Sequence, residues 1–75
     1  MNNKHNIINR RHILNLRLIR KNKGITQNQL AKQLGVDQTT ITKWEKNRVK
    51  PRLDMVFKLS RVLDVDVNDI VKIFS

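Results

Sequence analysis

The sequence predicts an all-α fold, a compact domain of five short helices. Apolar residues recur at spacings of three and four along most of the chain. Glycine, asparagine or proline separates these segments, and capping residues precede several of them. With 75 residues the chain has room for one small domain. We expect that domain at residues 7–75, after a flexible basic arm at residues 1–6.

The first predicted helix covers residues 13–22, where the local pattern is ambiguous. Leu16 belongs both to a helical series with Ile13 and Ile19 and to an alternating, strand-like series with Leu14 and Leu18. A helix is favoured because a glycine follows and because cations in the last turn complement the helix dipole. These residues are Gly24, Arg20, Lys21 and Lys23.

The second and third predicted helices are short and follow each other closely. Thr26 has the spacing of a capping box with Gln29 at the start of the second helix. Its apolar face consists of Leu30, Ala31 and Leu34, and Gly35 ends the helix. Asp37 can cap a third helix at residues 38–46, and Asn47 can take the left-handed conformation at its end.

The fourth predicted helix begins beyond Pro51, because proline disfavours helix at the residue before it. Its apolar residues at helical spacing are Val56, Leu59 and Leu63, with Leu53, Phe57 and Val62 widening the stripe. A fifth short helix opens at Asp66 with Asp69. Its apolar residues are Val67, Ile70, Val71, Ile73 and Phe74.

The charge of the chain is strongly positive and unevenly distributed. Sixteen Lys and Arg against six Asp and Glu give a net charge of +10, which points to a polyanionic partner. Residues 1–52 carry 13 basic and two acidic side chains, whereas residues 53–75 carry three and four. There is no cysteine, and no apolar run is long enough for a membrane span or a signal peptide. We therefore expect a cytoplasmic protein whose first two thirds bind the partner.

The third predicted helix has one polar face and one apolar face. Two short helices joined by a tight turn in a basic segment match the helix-turn-helix, whose second helix enters the DNA major groove. Within an arc of roughly 140° lie Gln38, Thr39, Thr42, Lys43 and Lys46; opposite are Thr40, Ile41 and Trp44. Glutamine can pair with adenine, and lysine with guanine. A merely solvated helix face has the same composition, so this face alone leaves both interpretations open.

A longer pattern extends over about three quarters of the chain. It consists of Leu16-x-x-Ile19-Arg20, Gly24-Ile25-Thr26-Gln27-x-x-Leu30-Ala31-x-x-Leu34-Gly35-Val36, and Thr40-Ile41-x-x-Trp44-Glu45, followed by Pro51, Leu63 and Val65. With these residues the chain resembles the phage repressor/Cro and xenobiotic-response-element (XRE) transcription regulators. The resemblance implies a compact five-helix, lambda-repressor-like DNA-binding domain with a helix-turn-helix at about residues 26–47. It also implies a sequence-specific regulator of double-stranded DNA, and we expect a repressor because a bare domain can block polymerase by occupying an operator.

The resemblance also implies roles for individual residues. The expected base-reading residues are Gln38, Thr39, Thr42 and Lys43. The expected phosphate contacts are Gln27, Lys46, Asn47, Arg48 and Lys50, with Gln27 also bracing Gln38. Arg20 and Glu45 match a structural salt bridge between the first and third helices, and Trp44 is expected in the core. Three positions depart from the family pattern: Asn47 where glycine is common, Arg52 at a helix cap, and Asp64 where glycine or asparagine is common.

The apolar residues of the fifth helix exceed what one face can bury in so small a domain. We therefore expect Val67, Ile70, Val71, Ile73 and Phe74 to form the interface of a two-fold homodimer. Such a dimer would present two recognition helices about 34 Å apart to a palindromic operator. In the alternative interpretation these residues close the core of the monomer.

Other functions receive less support from the sequence. A protein-interaction module of the antitoxin type, using the C-terminal apolar patch, is the main alternative. RNA or membrane-surface binding by charge alone is a weaker one, because the basic residues are spread over several helices. No catalytic set, glycine loop or ligand pocket is evident, so we expect no enzyme activity, cofactor or small-molecule ligand.

The N-terminal segment carries further basic residues and both histidines. His5 and His12 make a poor metal pair without cysteine, so we expect no metal site. Lys4, Arg10 and Arg11 are expected to attract phosphates generally, although a minor-groove arm is the alternative.

Overall fold

The computed structural model describes residues 15–75, and within that range it contains five helices and no strand. The helices are α1 (Leu16–Asn22), α2 (Gln27–Leu34), α3 (Gln38–Glu45), α4 (Leu53–Leu63) and α5 (Val67–Ile73). The predicted all-α fold is therefore confirmed over this range. The predictions for residues 1–14 lie outside it, among them the arm at residues 1–6, Lys4, His5, Arg10, Arg11, His12, Ile13 and Leu14.

One apolar core joins all five helices. α2 packs against both α3 and α4, α4 packs against α5, and α1 packs against α3. The buried apolar residues are Leu16, Leu30, Ala31, Leu34, Ile41, Trp44, Val56, Leu59, Leu63, Ile70 and Phe74. Trp44 is 4% exposed, so its predicted place in the core is confirmed. No helix of residues 15–75 is long and apolar enough to cross a membrane.

Four of the helices end in the same way, with a residue in the left-handed conformation. These residues are Gly24, Gly35, Asn47 and Asp64, with φ of 77°, 74°, 57° and 57°. After α2, the Val36 amide donates to the Ala31 carbonyl at 3.0 Å, which satisfies a carbonyl that the helix itself leaves free. Asn47 therefore adopts the conformation that the sequence predicted, and the tight turn between α2 and α3 depends on Gly35.

The helix starts differ in how their amides are satisfied. At α2 the predicted capping box is present: Thr26 Oγ1 accepts from the Gln29 amide at 3.0 Å, and Gln29 Oε1 accepts from the Thr26 amide at 2.8 Å. At α3, Asp37 is the N-cap residue, as the sequence predicted, but its side chain makes no capping hydrogen bond. The Thr40 amide, which the carboxylate would cap, donates instead to the Asp37 carbonyl at 3.0 Å.

α4 buries a narrower face than the sequence suggested. Leu53 is 65% exposed and Phe57 47% exposed, whereas Val62 is half-buried. The reason is angular, because Leu53 and Phe57 lie roughly 90° and 130° around the helix from the centre of its buried face. The prediction that both widen the core stripe is therefore wrong.

α5 buries more of its apolar surface than expected. Ile70 is fully buried and Phe74 is 8% exposed, while Val67 and Ile73 are partly buried against the same core. Val71 is exposed. Ile70 and Phe74 thus close the monomer core, as the alternative interpretation held, and they do not lie free on the surface for a partner. The short helix packs on α4 with two successive turns, which removes these residues from solvent.

Candidate nucleic-acid interface

α3 turns its apolar side toward the core and its polar side to solvent. Ile41 and Trp44 are buried, and on the other side Gln38, Thr39 and Lys43 are exposed. The structure therefore brings three of the four predicted base-reading residues onto one open surface. Amide, hydroxyl and ammonium groups on such a helix can donate to or accept from the edges of base pairs in a major groove.

Thr42, the fourth predicted base-reading residue, lies at the edge of this surface and is half-buried. Its hydroxyl is 3.1 Å from Gln27 Oε1 and 3.3 Å from the carbonyl oxygen of Gln38. The hydroxyl is therefore occupied within the protein and faces α2, and Thr42 is less open to solvent than the other three residues.

Gln27, at the first position of α2, connects the two helices of the helix-turn-helix. Its Oε1 accepts a hydrogen bond from Gln38 Nε2 at 3.2 Å, which confirms the predicted brace. Its Nε2 donates to Glu45 Oε1 at 2.9 Å, a contact that the sequence did not predict. A single amide thus links the start of α3 to its last residue.

Glu45 also forms an ion pair with Arg20 of α1. Arg20 Nε donates to Glu45 Oε2 at 2.6 Å and Arg20 Nη2 to Glu45 Oε1 at 3.3 Å, while Nη1 donates to the Ile25 carbonyl at 2.9 Å. The two side chains are 7% and 4% exposed. The pair ties α1 to α3 at the place that the sequence predicted, and no buried polar side-chain atom of residues 15–75 lacks a hydrogen-bond partner.

A depression lies where α1, α2 and α3 meet. It has a volume of about 470 Å³ and is lined by Arg17, Gln27, Thr42, Glu45 and Lys46. Arg17 and Lys46 are exposed cations beside the N-terminal end of α2. Free amides at a helix N-terminus attract anions, so the depression has the chemistry of a phosphate site.

Arg17 is the one residue of this depression that sequence reasoning missed. Its sequence signal is a cation three residues before Arg20, which puts the two on neighbouring positions of α1. That signal becomes informative only when the packing of α1 on α3 is known.

The segment after α3 adds a basic rim to the polar surface. Lys46, Asn47, Arg48 and Lys50, the other predicted phosphate-contacting residues, are all exposed. The Arg48 amide donates to the Lys43 carbonyl at 2.9 Å, which keeps this segment close to the end of the helix. Within residues 15–75 no group of three or more His, Asp or Glu side chains could hold a metal ion. The surface therefore offers cations and neutral polar groups, a combination suited to a polyanion with readable edges.

The family model described as helix-turn-helix matches residues 16–70 of the chain. A helix-turn-helix transcriptional regulator from Archaeoglobus fulgidus, itself uncharacterised, is 36% identical over 55 residues, which are 73% of this chain and 79% of the relative. No solved structure matches the chain.

Two further relatives are longer than the matched segment. The transcriptional activator BcrR of Enterococcus faecalis is 34% identical over 56 residues, 75% of this chain but 28% of the relative. The antitoxin HipB of Escherichia coli K12 is 35% identical over 52 residues, 69% of this chain and 59% of the relative. The similar segment thus occurs in proteins whose names state different functions.

Proposed function

Because the chain belongs to the phage repressor/Cro (XRE) family of helix-turn-helix transcription regulators, we propose that it represses transcription by binding a palindromic operator through α3. The observation that carries the proposal is the two-sided character of α3. Ile41 and Trp44 fix the helix in the core, while Gln38, Thr39 and Lys43 are exposed on the other side. A helix anchored in this way can enter a major groove without leaving the domain.

In this proposal base reading and phosphate binding are divided between two sets of residues. Gln38, Thr39 and Lys43 contact base edges, with Thr42 at their margin. The phosphate contacts surround them: Arg17, Gln27, Lys46, Asn47, Arg48 and Lys50. Phosphate contacts set affinity and register, whereas contacts to base edges set sequence preference. The excess of basic residues before residue 53 supports the same division.

A second copy of the chain completes the proposed operator complex. A two-fold dimer through α5 would match the symmetry of a palindromic site, with recognition helices about 34 Å apart. The exposed Val71 and the partly buried Val67 and Ile73 support such a contact, and residues 53–75, with three basic and four acidic side chains, would not repel a copy. Occupying an operator blocks polymerase without a further module, and the proposal places this event in the cytoplasm, where the DNA is.

The proposal is tested by selecting tight binders from random genomic fragments at several salt concentrations. We expect the selected sites to share a two-fold motif and to bind about 10³-fold or more tightly than bulk DNA. Gln38→Ala and Lys43→Ala should relax the preference at defined base pairs, whereas Lys58→Ala on α4 should not. Equal binding to all fragments with a steep salt slope would show that charge acts alone and would refute the proposal.

Repression itself is tested by transcription in vitro from a promoter that overlaps a selected site. Transcription should fall as the site fills. An increase would instead indicate activation, the function that the name of BcrR states for that relative.

The similarity to HipB favours a second candidate, an antitoxin-type interaction through the C-terminal surface. The exposed Leu53, Phe57 and Val71 offer apolar area for a protein partner there. Light scattering, which gives the mass of each complex, separates the two candidates. Two copies of the chain on one full operator support the repressor. A stoichiometric complex with the product of an adjacent gene, lost on Phe57→Ser but kept with Lys43→Ala, supports the second.

A further inference from the structure

A series of side-chain hydrogen bonds leads from the buried ion pair to the exposed start of α3. Arg20 donates to Glu45, Gln27 Nε2 donates to Glu45 Oε1 at 2.9 Å, and Gln38 Nε2 donates to Gln27 Oε1 at 3.2 Å. Each member has its next neighbour within hydrogen-bond distance, and the first two are nearly inaccessible to solvent. The direction of every bond in the series can therefore be followed from its buried end.

The direction is set by the chemistry of the buried end. A carboxylate only accepts hydrogen bonds, and a guanidinium only donates them. Glu45 therefore requires Gln27 to turn its NH2 group inward, and the carbonyl oxygen of that amide must face α3. There it accepts from Gln38 Nε2 and from the hydroxyl of Thr42. The opposite orientation of Gln27 would place its carbonyl oxygen against the carboxylate.

The orientation of Gln27 in turn decides what Gln38 presents to solvent. With one N–H bound to Gln27, the Gln38 amide keeps its Oε1 and a second N–H free. One acceptor beside one donor complements adenine, which offers the N6 amino group and N7 in the major groove. Guanine offers two acceptors, O6 and N7, and would leave the free Oε1 without a donor.

We propose that Glu45 is a positioning residue which, through Gln27, fixes the amide orientation of Gln38 and so selects adenine over guanine at one base pair of the operator. The proposal rests on the proposed function, because it needs Gln38 to contact a base. It adds a specificity role to a carboxylate that never touches the DNA. The preference for adenine at this base pair should be about tenfold in the native chain.

Glu45→Gln tests the direction of the series. Arg20 can only donate, and its shorter bond is from Nε to Glu45 Oε2 at 2.6 Å, so the carbonyl oxygen of the new amide takes that place. The new NH2 group then replaces Oε1, where it faces Gln27 and gives up the 3.3 Å bond from Arg20 Nη2. Gln27 reverses to accept this bond and offers its own NH2 to Gln38, whose Oε1 becomes occupied. Gln38 then presents two N–H groups, which complement guanine. We expect the preference at this base pair to reverse from adenine to guanine, by several-fold.

Gln27→Met provides a second test that leaves the ion pair intact. Methionine keeps the length of the side chain but makes no comparable hydrogen bond, so the Gln38 amide becomes free to adopt either orientation. The preference should fall from about tenfold to about twofold without reversing. The matched control is Gln33→Met, the same change at an exposed position of α2 outside the series.

The measurement is binding of each variant to four operators that differ only at the base pair where Gln38→Ala relaxes the preference. Circular dichroism and thermal unfolding identify which variants are folded. If Glu45→Gln does not fold, Gln27→Met decides the matter alone. An unchanged preference in folded Gln27→Met, or retained adenine preference in folded Glu45→Gln, overturns the positioning role. If Gln38→Ala alters no base pair, the recognition surface under the proposed function fails instead, so the two failures are distinguishable.

Discussion

The described chain has two halves, α1–α3 and α4–α5, and they differ in the interactions that connect their elements. In α1–α3, side-chain hydrogen bonds join residues 11, 15, 18 and 25 positions apart, all within the Arg20, Glu45, Gln27, Gln38 and Thr42 cluster. In α4–α5, every side-chain hydrogen bond joins residues at most five positions apart. The only side-chain ion pair of residues 15–75 between the halves, Lys23 with Asp64, is long and solvent-exposed. Apolar burial therefore carries the contact of α4 and α5 with the rest.

The difference shows what each kind of contact can specify. Apolar burial is proportional to area and nearly indifferent to small rotations, so it stabilises α4 and α5 without fixing a functional group. Hydrogen bonds have narrow geometry, and those of α1–α3 hold side chains at the surface proposed to meet DNA. The directional contacts thus lie where orientation would matter in the proposed recognition of DNA.

Of the substitutions that test this difference, Arg20→Ala should have the largest effect on stability. Removing Arg20 leaves the Glu45 carboxylate buried without its cation, which costs about 3–5 kcal/mol and should unfold so small a domain. Circular dichroism and thermal unfolding check this, with Arg17→Ala as the exposed control on the same helix. A folded Arg20→Ala chain with weak DNA affinity would show instead that the arginine acts at the interface.

Ile70→Ala should have the next largest effect, and through packing alone. The side chain is fully buried, so its truncation should lower the free energy of unfolding by about 2–4 kcal/mol. Val71→Ala, one position along and exposed, should change it by no more than about 0.5 kcal/mol. Chemical denaturation measures both. For Ile70→Ala we expect the same loss of unfolding free energy at low and at high protein concentration. For Val71→Ala, a loss that depends on protein concentration would indicate the α5 dimer.

Lys46→Ala should weaken DNA binding by about 1–2 kcal/mol, equally for all sequences, and reduce the salt slope by about one. Lys58→Ala removes the same charge from the exposed side of α4 and should leave both quantities nearly unchanged. Fluorescence anisotropy of labelled DNA at several salt concentrations checks the pair. Similar losses for the two lysines would mean that both halves of the chain meet the DNA.

Asp64→Gly should have the smallest effect and should be stabilising. Asp64 ends α4 with a φ of 57° and carries a negative charge at a helix C-terminus, so glycine should raise stability by about 1 kcal/mol or less. Asn47→Gly in α1–α3 should gain less, because asparagine tolerates this conformation better. The midpoint of thermal unfolding measures each. Asp64→Asn removes the charge without adding the freedom of glycine, and an equal gain from it would show that the absence of a side chain contributes nothing.

The local elements could be predicted from the sequence because their signals are local. The capping box of Thr26 and Gln29, the stop at Gly35 and the left-handed Asn47 each involve residues within a few positions of one another. The ion pair of Arg20 with Glu45 was predicted from the resemblance to a family, which adds information about distant contacts. Both kinds of signal concern pairs of residues whose separation along the sequence is known in advance.

The exposure of apolar residues could not be predicted in the same way. It depends on how much of each helix the neighbouring helices cover, and the spacing of residues along one helix does not contain that information. Leu53 and Phe57 follow a helical pattern yet stay exposed, whereas Ile70 and Phe74 were expected on the surface and are buried. The role of Arg17 required the relative position of α1 and α3. The link from Glu45 to Gln27 required the positions of individual oxygen and nitrogen atoms.

Trp44 gives the molecule a built-in optical reporter. It is the single tryptophan of the chain, and it is nearly sealed from water on the side of α3 away from Gln38 and Lys43. Its emission should be blue-shifted in the native state and should move to the red only when the core opens. Because the indole lies away from the surface proposed to meet DNA, its signal should stay constant during a titration with operator. A single sample can then report folding through the indole and complex formation through a dye on the DNA, without one signal contaminating the other.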